Sequence, residues 1–203
     1  MERTPVLLKM DIHGIPLSEV STLTEQMPPL RREKIRALRD PQERLRSLAA
    51  GLLCREALRR WGLSDARIRY DAQGKPFVEG EADCFLSLSH SGSYALCLLC
   101  AEPCAVDVQE HLGVIEAVLK TGYTEAEQRY CEAAEDREAA FYELFCRKEC
   151  RAKLRPYAHL RDIDSLTADP GSVYLSFSFP GYGCAVCCSV REKPALELQE
   201  YRL

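Results

Sequence analysis

The chain has 203 residues, 46% of them hydrophobic and 29% charged, ordinary values for a globular protein of one domain or two small ones. A formal net charge of −4 argues against a general nucleic-acid binder, and no apolar run approaches the roughly 18 residues of a membrane-spanning helix. The opening Met1-Glu2-Arg3-Thr4-Pro5 lacks a signal-peptide pattern, so a cytoplasmic protein is expected.

In chain order, a basic segment comes first, Arg31-Arg32-Glu33-Lys34-Ile35-Arg36, whose simplest meaning is a solvated helix face. Asp40-Pro41-Gln42-Glu43 then combines an N-cap acid, a proline at the first helical position and a glutamate three after the cap. A helix is predicted from there to Gly62, with Leu45, Leu48, Leu52 and Leu58 on its core face. Gly74-Lys75-Pro76 reads as a turn, and Leu86-Ser87-Leu88-Ser89 as a strand followed by a turn holding His90, Ser91 and Gly92. Val106-Asp107-Val108-Gln109 ends a further apolar strand. Thr124-Glu125-Ala126-Glu127 carries a capping-box signal, and Asp136 is placed to cap a long helix that includes Phe145 to Lys153. Leu175-Ser176-Phe177-Ser178, followed by Gly181, Cys184 and Val186, echoes the strand, turn and strand around residues 86–97. Two similar α+β halves are therefore expected, 1–112 and 113–203, each with helices on a small antiparallel sheet and a cleft between them.

Eleven cysteines are many, and Cys97-Leu98-Leu99-Cys100 and Cys184-Ala185-Val186-Cys187 each have the spacing of half a zinc site. Both lie in apolar runs that read as strands, where residues three apart point to opposite faces. Small buried side chains in a reducing compartment are the expectation, and disulfides are not expected.

The chemistry concentrates in two short stretches. Alternate strand residues share a face, so Asp107 and Gln109 project together while Val106 and Val108 turn into a core. Residues four apart stack on a helix, so Phe145, Glu149 and Lys153 form one stripe. Taken alone, Glu149 and Lys153 amount to an exposed ion pair worth about 0.3–0.5 kcal/mol, and Asp107 to a turn cap. If strand and helix meet, two carboxylates and an amide oxygen converge beside an ammonium. Such a set suits Mg2+ held by one or two carboxylates, with water and phosphate oxygens completing its shell.

The ordered series Gly74-Lys75-Pro76, Leu86 to Gly92, Val106 to Gln109 and Phe145 to Lys153 resembles the successive motifs of the Sfp-type 4'-phosphopantetheinyl transferases. The likeness runs from the basic 31–36 segment through Arg46-Ser47-Leu48 to Gly181-Tyr182-Gly183-Cys184, nearly the whole chain. It implies a monomer of two pseudo-twofold halves with the active site at their interface. It also implies transfer of the phosphopantetheine arm of coenzyme A to a serine of an apo carrier protein of fatty-acid, polyketide or nonribosomal-peptide synthesis. By the resemblance, Asp107, Gln109 and Glu149 hold Mg2+, Glu149 takes the serine proton, and Lys153 stabilises the leaving phosphate. Arg31, Lys34, Arg46, Lys75, Pro76, Ser89 and His90 match positions that contact coenzyme A. Three departures stand out: Gln109 where many relatives carry an acid, Phe145 in place of tryptophan, and Leu154-Arg155-Pro156-Tyr157 without the usual glycine-containing turn. The first departure leaves a catalytically weak coenzyme A- or carrier-binding regulator as the alternative.

Overall fold

The computed structural model describes residues 3–72, 74–155, 157–189 and 194–203, so Pro156 in the altered turn lies outside the described residues. The chain divides into two compact units, Met1–Glu102 with Ala195–Leu203, and Pro103–Pro194. Both mix α-helices with small sheets, as the α+β expectation required.

The first unit opens on strand β1 (Val6–Asp11), continues through helices α1 (Val20–Glu25), α2 (Pro29–Ala37) and α3 (Pro41–Arg60), and adds a small hairpin, β2 (Ile68–Tyr70) with β3 (Pro76–Val78). A larger hairpin follows, β4 (Phe85–Ser91) with β5 (Tyr94–Cys100), and the C-terminal β9 (Leu198–Glu200) completes a sheet in the order β4-β5-β1-β9. The predicted signals act locally as chemistry requires. Asp40 accepts a hydrogen bond from the Gln42 N–H at 3.0 Å, Pro41 begins α3, and Leu45, Leu48, Leu52 and Leu58 are buried against β1, β4 and β5. One expectation is corrected: the sheet is not wholly antiparallel, because β9 runs parallel to β1.

The second unit repeats the order of strand, helices and hairpin. Its elements are β6 (Cys104–Glu110), α4 (Glu116–Gly122), α5 (Glu125–Ala133), α6 (Arg137–Leu154), β7 (Val173–Phe179) and β8 (Tyr182–Cys188), with sheet order β6-β8-β7. The capping box at Thr124 and Glu127 forms, and Asp136 caps α6 through the Ala139 N–H at 2.9 Å. The β7–β8 turn places Gly181 at φ +76°, a conformation that excludes most other residues.

The boundary expected after residue 112 falls at 102/103. The reason lies in the pairing of β6, which runs antiparallel to β8 from Cys104↔Cys188 to Glu110↔Tyr182. This strand opens the second unit as β1 opens the first. Asp107 and Gln109 therefore share a unit with Glu149 and Lys153, whereas the sequence had placed them in different halves.

All eleven cysteines are free and buried. In the second unit they have a packing role: Cys146 and Cys150 of α6 lie against Ala105, Ala185 and Cys187 of the sheet. Side chains this small bring helix and strands close together. Cys184, opposite Val108, faces the other side of β8 from Cys187, as strand alternation dictates.

Candidate active site

In the second unit, the close helix–sheet approach sets the acid cluster. Gly183 on β8 favours it, because an added Cβ would lie 3.0 Å from the Tyr142 Cβ and 3.2 Å from its carbonyl carbon, so the helix would have to give way by a few tenths of an ångström. With α6 seated there, Lys153 reaches across to the strand. Its Nζ donates to Asp107 Oδ1 at 2.7 Å and to the Val106 carbonyl at 2.8 Å. The second Asp107 oxygen, Oδ2, accepts from Gln109 Nε2 at 3.2 Å. Asp107 is buried, with 4% of its side chain exposed.

Glu149, one turn before Lys153 and half-buried, has its carboxyl pushed up from the usual range. Burial is the larger cause and the Asp107 charge the next, against the pull of Lys153. Burial pulls the Lys153 ammonium down, but Asp107 and Glu149 outweigh it and the net direction is upward. Burial, and then Asp107, raise the thiols of Cys146, Cys150 and Cys184, so these stay protonated packing groups. Asp107, Gln109 and Lys153 are thus joined by hydrogen bonds, and Glu149 stands near enough for its charge to act on Asp107 and Lys153. Among the described residues no group of three or more His, Cys, Asp or Glu forms a cation cage. The polar groups here are two carboxylates and one amide, whose hard oxygens would suit a cation such as Mg2+.

The first unit holds a separate cationic cluster. Arg31, 7% exposed, donates from Nε and Nη2 to the Ser47 carbonyl at 3.1 and 2.7 Å, and from Nη1 to Tyr70 Oη at 3.5 Å. Arg46 donates to the Gly92 carbonyl at 2.9 Å and to Glu43 at 2.8 Å, fixing its guanidinium beside the β4–β5 turn. Burial lowers the His90 pKa, and the cations Arg31, Arg46 and Lys34 push the same way against Glu43. Lys34 is likewise lowered, by burial and then by Arg31. Crowded positive groups of this kind are relieved by an anion.

His90 is the penultimate residue of β4, not part of the turn, and it pairs with Ala95. Ser89 beside it is buried and pairs with Leu96. Lys75 closes the β2–β3 loop, its N–H bonded to Asp71 Oδ1 at 2.8 Å. Pro76 begins β3 and lines a small cavity with Arg31, Gly51, Tyr70 and Leu88.

The family description of the 4'-phosphopantetheinyl transferase superfamily matches residues 103–199, which include the whole second unit. The 4'-phosphopantetheinyl transferase Sfp of Bacillus subtilis (strain 168) is 26% identical over 91% of this chain and 95% of its own length. The second unit belongs to the 4'-phosphopantetheinyl transferase superfamily. A further phosphopantetheinyl transferase of Bacillus subtilis is 27% identical over 69% of this chain and 67% of its own.

Two features of this phosphopantetheinyl transferase escaped the sequence reading. Tyr70, which meets Arg31, carries no local signal beyond its place in a short strand. Lys148, fully buried, pairs with Glu127 at 2.8 Å and donates to the carbonyls of Leu160 and Ile163. Its signal was legible, since it falls at helical spacing after the buried Phe141 and Leu144, where a lysine must find a partner.

Proposed function

We propose that this transferase moves the 4'-phosphopantetheine arm of coenzyme A onto a serine hydroxyl of an apo carrier protein, releasing adenosine 3',5'-bisphosphate. The observation that carries it is the meeting of Asp107, Gln109, Glu149 and Lys153 on one strand and one helix. Asp107, Glu149 and the Gln109 amide oxygen would hold Mg2+. When bound, the ion supplies positive charge to the pyrophosphate oxygens.

The serine oxygen attacks the β-phosphorus, the bond to the bridging oxygen breaks, and adenosine 3',5'-bisphosphate leaves with that electron pair. The serine proton passes to Glu149, whose raised pKa brings it nearer the working range of a general base. Lys153 offsets charge on the leaving phosphate. In the first unit Arg31, Lys34, Arg46 and His90 suit the 3'-phosphate, with Ser89, Lys75 and Pro76 beside the nucleotide. Arg31 acts chiefly through its field, because two of its nitrogens are committed to Ser47. The same proposal has the protein act as a cytoplasmic monomer; no helix among the described residues is long and apolar enough to cross a membrane.

The test is incubation with coenzyme A, Mg2+ and several apo carriers, read by mass spectrometry as the gain of one phosphopantetheine arm. Coenzyme A binding with no gain on any carrier would replace catalysis by the regulatory alternative.

A further inference from the structure

The geometry points to Lys153 as the resident counter-cation of Asp107, which a divalent ion must displace before it can take that carboxylate. This rests on the metal site proposed above and concerns how that site is entered. A carboxylate as buried as Asp107 needs compensating charge, and Lys153 supplies it at 2.7 Å. The other carboxylate oxygen is engaged by the Gln109 amide N–H. An arriving cation therefore meets Asp107 with both oxygens committed to donors, and Gln109 presenting nitrogen rather than oxygen to the acid. Lys153 lies in the last turn of α6 with its side chain partly exposed, so a route outward is open to it. Once displaced, its ammonium is free to serve the phosphate. One charge thus does two jobs in succession, neutralising the acid first and the leaving group later.

The sign of one measurement separates this from other roles. A lysine that served only phosphate would leave metal affinity unchanged without cofactor, and one that merely shaped the acid site would weaken it when removed. The displaced counter-cation predicts the opposite. Mn2+ binding to the full chain without coenzyme A, followed by electron paramagnetic resonance, should be about tenfold tighter in Lys153→Met. Lys153→Arg, which keeps the charge and can grip a carboxylate with two donors, should bind Mn2+ more weakly than the parent. Because Lys153→Met leaves a buried acid without its partner, its thermal midpoint should fall, and rise more on adding Mn2+ than the parent's does. Normal Mn2+ binding by the parent, with equal or weaker affinity in Lys153→Met or equal or tighter affinity in Lys153→Arg, overturns the displacement. Absence of Mn2+ binding in all three proteins removes the metal site itself, and the displacement with it.

Discussion

Glu149 and Asp107 are both acids beside one lysine, yet their surroundings give them different work. Asp107 is hydrogen-bonded on both oxygens, whereas Glu149 is half-buried with its carboxyl raised, the condition that favours proton transfer. Glu149→Gln should lower kcat by about 10²-fold or more while the circular dichroism spectrum and melting point stay near the parent's. Asp107→Asn should also abolish transfer; near-normal turnover in either variant defeats the assignment. Gln109→Glu adds a hard ligand, so Mg2+ affinity by calorimetry should be unchanged or tighter, and a clear loss would show that the amide's bond to Asp107 matters more. His90 gives the pH-dependent case. Its pKa lies below the ordinary value in the free protein, and a bound phosphate would raise it, so binding should take up a proton and strengthen as pH falls toward that range. Titration of adenosine 3',5'-bisphosphate in buffers of different ionisation enthalpy should show this uptake in the parent and a smaller one in His90→Gln. These residues were legible because strand and helix periods are local. The bond from Lys153 to Asp107 was not, since it depends on how α6 seats on β6.

That seating is the property of an element, and two contacts fix it. Gly183 leaves room for the backbone of α6 at Tyr142, and Lys148 ties the helix to α5 and to residues 160–165 through Glu127 and two carbonyls. Glu127 also accepts from Ser165 and from the Thr124 N–H, so its capping box is part of the same buried network. Burial works against the Glu127 charge, but Lys148, Ser165 and Thr124 outweigh it and the pKa is lowered. Lys148→Met should cost about 3–5 kcal/mol in denaturant unfolding, because it strands a buried carboxylate. The double variant Glu127→Gln/Lys148→Met should recover part of that loss, since no uncompensated charge remains; a double variant worse than the single would disprove the charge argument. The capping signals of both long helices could be read from a few adjacent residues. The Glu127–Lys148 partnership could not, being formed between residues 21 positions apart that only packing brings together.

Across the whole molecule, the repeated order of strand, helices and hairpin was readable from the echo of residues 86–97 in 175–186. The boundary was not, because membership of β6 is decided by its partner β8, far along the chain. The C-terminal segment poses the complementary case. It leaves the second unit and returns to the first, where Leu198–Glu200 pair with Leu7–Lys9 and the Tyr201 N–H bonds the Lys9 carbonyl at 2.8 Å. Nothing local in Leu198-Gln199-Glu200 announces a parallel edge strand, and three residues are too few for a periodicity. Removing residues 195–203 strips that edge from β1 and uncovers the core beside Tyr201, a loss of roughly 2 kcal/mol or more that falls on the first unit. The acids of the second unit keep their own strand and helix. The truncated chain should therefore bind adenosine 3',5'-bisphosphate more weakly and melt earlier, yet retain Mn2+ affinity close to the parent's. Equal loss of both ligands would mean that the two units stand or fall as one cooperative body.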